Sequence, residues 1–172
     1  GVMLFGVLNG MVSAIVLSLA ALLGRLATPN IVRLGRLAGS HDFVDLARHP
    51  DAVSPPGIAI WRPMVPLFFA NAENVLGLIA RRQAADSEAR VVIVSLEESF
   101  DLDSTAAEAL IEFDARMRAA GLTLLLARVR DGVRDLLVAA DAADLAGRAS
   151  YSVDDAVAAA RAAAGTEKPN AA

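Results

Sequence analysis

The first 24 residues, "GVMLFGVLNGMVSAIVLSLAALLG", carry no charged side chain. As a helix this run spans roughly 36 Å, enough to cross a hydrocarbon layer of about 30 Å. A buried core helix of a soluble protein is the alternative, but it has to find apolar cover on every side. The run lacks the basic leader, short apolar core and small-residue cleavage site of a secretory signal. We therefore expect 1–24 to be a transmembrane helix, the last span of a truncated membrane domain. Arg25, Arg33 and Arg36 follow it closely, and the first acid is Asp42. By the positive-inside bias, residues 25–172 are expected in the cytoplasm. Gly6 and Gly10 form a GxxxG spacing that permits close helix packing.

The rest of the chain is an ordinary globular length. The 55% hydrophobic content is raised by the amino-terminal run. A net charge of −4 leaves no electrostatic footprint for nucleic acid. With no cysteine, disulfides, thiol catalysis and thiolate metal sites are excluded. His41 and His49 lie in the polar, proline-bearing stretch 41–57, and the nearby Asp42, Asp45 and Asp51 do not form a metal-ligand spacing. They read as solvated loop histidines, and no metal or cofactor is expected.

We expect a linker over 25–56 with a short strand at "IVRLGRL". From Gly57, strands alternate with helices. "GIAIWRPMVPLFF" reads as one or two strands broken by Pro63 and Pro66, with Trp61 in a packing role. "NAENVLGLIARRQA" reads as a helix with Asn71 as N-cap. "RVVIVSL" and "LTLLLARV" are continuous apolar runs, as in strands covered on both faces. Helices are predicted after each, and over 151–165. The pattern predicts an α/β fold: a mixed sheet of four to five strands with packed helices over 57–165. A disordered tail is expected over 166–172.

The stretch "SFDLDSTAAEAL", 99–110, looks chemical and admits three readings. The first is a capped helix start. Asp103, Ser104 and Thr105 are all N-cap types, Thr105 and Glu108 have capping-box spacing, and Gly121 fits the position after the helix. Ala106, Leu110, Phe113, Met117 and Ala120 then form one apolar stripe, with Glu112–Arg116 and Asp114–Arg118 as i, i+4 pairs. The second reading is a D-x-D-x-T phosphoryl-transfer loop using magnesium. That chemistry needs a lysine near the acids, and the chain's one lysine is Lys168, in the expected tail. The third is a regulatory surface in which a phosphate on Ser104 meets the positive end of a helix while Asp101 and Asp103 repel it.

A buried strand, a short loop and D-S-[ST] opening an amphipathic helix together resemble the STAS domain. This domain is shared by anti-sigma-factor antagonists and SulP (SLC26-like) anion transporters. Here the motif is Asp103-Ser104-Thr105, followed by Ala106 where the family has glycine. "LGR" at 34–36, "RHP" at 48–50, "PGI" at 56–58 and "PLFFANAE" at 66–73 resemble the SulP branch.

The resemblance implies a STAS-type sandwich after the last membrane helix of a secondary anion transporter, multi-pass in the plasma (inner) membrane. It implies an inorganic anion or carboxylate bound in a membrane domain absent here, a homodimer, and no catalytic residue. The loop of Asp101, Asp103 and Ala106 is then the place for a regulatory protein or nucleotide. Ser104, with Thr105 beside it, matches the serine that antagonists phosphorylate. The alternative is a membrane-anchored, antagonist-like phosphoswitch module.

Overall fold

A computed structural model describes residues 2–27 and 29–166. Gly1, Thr28 and 167–172 lie outside the described residues, and with them all of the expected tail except Thr166. Helix α1 (Val2–Ala27) is predominantly apolar with Arg25 in its last turn, and none of the span Gly6–Arg25 is buried by the rest of the chain. Length and composition suffice for it to cross a membrane. An apolar helix without protein cover requires another apolar surrounding.

The remainder is a five-stranded mixed sheet in the order β2-β1-β3-β4-β5. Strands β1 (Ile31–Arg36) and β2 (Phe43–Asp45) form an antiparallel hairpin, and β1 also pairs antiparallel with β3 (Ile58–Pro63). Strands β4 (Val91–Ser95) and β5 (Thr123–Ala127) extend the sheet in parallel from β3. The stretch 25–56, expected as a linker with one strand, thus supplies two strands. The second, β2, was hidden by its length of three residues and by flanking aspartates that speak for a loop.

Helices α2 (Ala72–Gln83), α3 (Ser104–Ala119), α4 (Asp131–Ala139) and α5 (Ala143–Gly147) cover one face of the sheet. Ala59, Trp61, Val92, Val94, Leu124 and Leu126 meet them there. Helix α6 (Val153–Thr166) covers the other, through Val153, Ala156, Val157 and Ala160 against Ile58, Ile60, Ile93 and Leu125. Two-sided cover is why β4 and β5 read as continuous apolar runs rather than alternating ones. Trp61 is buried and donates its indole N–H to the buried Gln83 Oε1 at 2.9 Å, which satisfies both polar groups.

Candidate functional site

The 99–110 stretch begins as a tight loop after β4. Leu102 is buried and anchors it to the core. Asp103 takes an extended conformation, and its Oδ1 accepts the Ala106 amide at 2.8 Å. Asp103 is therefore the N-cap of α3, one residue before Ser104 and two before Thr105. Thr105 already lies within the first turn, so it is not the cap of a Thr105–Glu108 box. The helix ends as expected: Gly121 has φ +74°, and the amides of Gly121 and Leu122 bond back to Arg118 and Met117. This is a Schellman cap, for which glycine is the favoured residue.

The other oxygen of Asp103 holds a different segment. Its Oδ2 accepts the Phe69 amide at 2.7 Å. Close by, the Oγ of buried Ser99 accepts the Leu67 amide at 2.9 Å. Asn71 completes the arrangement. Its side chain makes no cap bond to α2; Oδ1 accepts from Phe68 N at 2.9 Å and Nδ2 donates to the Pro66 carbonyl at 2.8 Å. "PLFFANAE" and "SFDLDST" are thus one hydrogen-bonded unit. Nothing in their spacing announces this, because the contacts run from side chains to backbone amides.

Of the sequence-selected residues, the structure brings Asp103 and Ala106 into direct contact. Ser104 and Thr105 are exposed on the first turn, and Asp101 is exposed on the loop. Ala106 is wholly buried in α3, not in a loop, and its methyl faces the core. Two aromatic rings rim the surface: Phe69 is 70% exposed and Phe100 62%. The Arg130 guanidinium lies 5.6 Å from the Phe100 centroid. Both Asp103 oxygens are occupied by backbone amides. The arrangement suits a rigid, presented surface better than an acid pair held open for phosphoryl transfer. Among the described residues no group of three or more His, Cys, Asp or Glu is placed to hold a metal ion.

Behind this surface α3 is fastened by charge. Asp114, buried on α3, receives a two-pronged bond from Arg148 at 2.9 and 3.0 Å, and also bonds Arg118. Arg148 further donates to Asp144 at 3.0 Å and to the Leu124 carbonyl. Burial pushes the Asp114 carboxyl up, but the Arg148 and Arg118 bonds outweigh it and hold the group below its ordinary value. The sequence showed only the Asp114–Arg118 half of this cluster.

The comparisons agree with the fold. The STAS domain profile matches residues 49–156. A probable sulfate transporter of Mycobacterium tuberculosis is 32% identical over 148 residues, which covers 83% of this chain and 26% of that protein. A probable sulfate transporter 4.2 of Arabidopsis thaliana is 29% identical over 160 residues, covering 87% and 24%. The chain thus spans about a quarter of the length of the curated relatives it matches.

Among solved structures, the murine Slc26a9 anion transporter superposes with a TM-score of 0.81 at 19% identity, over 90% of this chain and 26% of that one. A sulfate transporter family protein from Wolinella succinogenes gives 0.56 at 25% identity, over 69% of this chain and 96% of its own. With its fold, its matched profile and its sulfate-transporter homologues, this chain belongs to the STAS domain family, in the branch associated with SulP/SLC26 transporters.

Proposed function

We propose that this chain is the cytoplasmic regulatory and dimer-supporting STAS domain, with the last membrane helix, of a multi-pass secondary transporter for inorganic anions of the sulfate or bicarbonate type or for carboxylates. The observation that carries this reading is the uncovered apolar helix α1 directly before the STAS fold. Only 145 residues follow α1, so a superposition spanning 90% of 172 reaches into that helix. The two relatives named above as probable sulfate transporters match along 83% and 87% of the chain. On this reading the anion site lies elsewhere in the full-length protein, in its membrane domain. The STAS fold, residues 30–166, faces the cytoplasm and pairs with a second copy.

The test is uptake of labelled sulfate and bicarbonate into proteoliposomes by the full-length protein, with and without residues 30–166. Reduced uptake at equal membrane content is expected. Unchanged uptake together with an unchanged oligomeric state sinks the regulatory role. Uptake of neither anion by the intact protein sinks the substrate class.

A second reading is favoured by the exposed Ser104 on the first turn of a well-capped helix. Here the loop of Asp101 and Asp103 with Ser104 and Thr105 is a phosphorylation-controlled docking surface. Phosphate would add about −1.5 to −2 charge without entering the core. Phosphopeptide mapping from cells, with Ser104→Ala as control, decides it; no phosphate at this turn ends it.

A further inference from the structure

On the sheet face covered by α6, a cleft of about 260 Å³ opens between the carboxyl ends of β3–β5 and the start of α6. Ligands of open α/β sheets gather in such crevices. Two guanidinium groups converge there on one carboxylate. Arg62, at the end of β3, donates to Glu97 Oε2 at 3.2 Å, and Arg128, just past β5, donates to Oε1 at 3.0 Å. Against Glu97 alone the two cations leave one positive charge over, which the Asp42 carboxylate offsets. Asp154 and Asp42 also line the cleft. Asp154 is taken up by Arg36 and by His41, and Asp42 accepts the Ser40 hydroxyl at 2.8 Å.

Besides the Nε of Arg36, which lies behind Asp154, two buried polar groups in this corner lack a partner among the described residues. They are the Nε of Arg62 and the Oγ of Ser95. Ser95 is 1% exposed, and β-strand alternation puts it on the α6 face with Ile93, beside Arg62. An orphaned buried polar group calls for an explanation, and an unseen ligand is one. Arg128 adds backbone strain: its φ of +59° is a left-handed conformation that non-glycine residues adopt at a cost, most often at functional sites.

We propose that this cleft binds a tetrahedral oxyanion of the sulfate or phosphate class, held by Arg62 and Arg128 in place of Glu97. The guanidinium forks match the oxygen geometry, and Glu97 is the resident stand-in for the anion. The cleft holds such an anion with water to spare, since one water occupies about 30 Å³. The proposal concerns binding by this chain and does not rest on the transport reading.

Isothermal titration of the full chain in detergent micelles tests it, with sulfate, phosphate and chloride titrated separately at fixed ionic strength. Saturable binding of sulfate, phosphate or both is expected, weakened about tenfold in Arg62→Gln and in Arg128→Gln. Preference between the two anions identifies the source. Glu97→Gln removes the competitor and is expected to tighten binding several-fold. Binding by chloride equal to that of both oxyanions overturns the proposal, as does the absence of saturable heat. If both arginine variants fail to fold, Glu97→Gln decides: binding no tighter than the parent's overturns it.

Discussion

The backbone amide of Phe69 donates to Asp103 Oδ2 at 2.7 Å, while Asp103 Oδ1 caps α3 through Ala106 at 2.8 Å. One side chain therefore fixes the position of two segments 34 residues apart in sequence.

Replacing Asp103 by alanine removes the cap and leaves the Phe69 amide unpaired. We expect a loss of about 2–3 kcal/mol in chemical denaturation. Ser104→Ala, one residue on, touches neither bond and is expected within about 0.5 kcal/mol of the parent. Equal losses for the two variants contradict the assignment of Asp103 as the cap.

Asp114, Asp86 and Asp154 all sit below their ordinary value of 3.8. For Asp86 the main cause is the Arg33 bond; for Asp154 it is His41, with Arg36 beside it. A carboxyl depressed in the folded state stabilises fully above its unfolded pKa, and that contribution is lost as pH falls through the folded pKa. Stability is therefore expected to hold from neutral down to about pH 5 and to fall below about pH 4. Thermal melts across that range measure it. Asp114→Asn is expected to flatten the acid limb.

Arg148→Ala leaves the Asp114 carboxylate buried with Arg118 alone. Breaking a fully buried pair costs roughly 3–5 kcal/mol. Arg148 retains 21% side-chain exposure, so we expect about 2–3 kcal/mol, read from the shift in denaturation midpoint.

At Gly35, in β1, a Cβ atom would stand 2.4 Å from Leu46 Cδ2 and 3.1 Å from the backbone carbon of Val53. Leu46 can turn aside, but the Val53 backbone is fixed by paired bonds to Arg36. Gly35→Ala is expected to lower stability by about 1–3 kcal/mol. A neutral effect would mean that the β1–β2 hairpin is not part of the cooperative fold.

These 172 residues hold no cysteine, so Ser104→Cys becomes a topological probe once any cysteine elsewhere in the full-length protein has been replaced. In intact cells producing the full-length protein, a membrane-impermeant maleimide is expected to leave that thiol unlabelled until the membrane is opened. Labelling from outside refutes a cytoplasmic STAS fold.

The parts legible in the sequence were those written in runs and periods. The uncharged run from Val2 on became α1, the two continuous apolar stretches became β4 and β5, and the stripe Ala106–Leu110–Phe113–Met117 became the inner face of α3. Ala120, the last member of that stripe, is exposed because the helix has ended. Bonds between distant polar groups left no local trace. Asn71 looked like a cap for α2 and instead ties the Pro66–Phe68 turn. Ser99 carried no role in the sequence reading and holds Leu67. Arg148 gave no sign that it pairs with Asp114, 34 residues away. Such partners are chosen by the fold, and only residue types, not pairings, are visible beforehand.

Helix α1 ends at Ala27, and β1, hydrogen-bonded on both sides, begins at Ile31. The three intervening residues include Pro29, and Met64 already bonds the carbonyl of Asn30 at 2.8 Å. A tether this short pays out at most about 10 Å of chain. A tilt or piston stroke of the apolar helix has to pull on an interior strand, and a force on the sheet has to travel back along the same line.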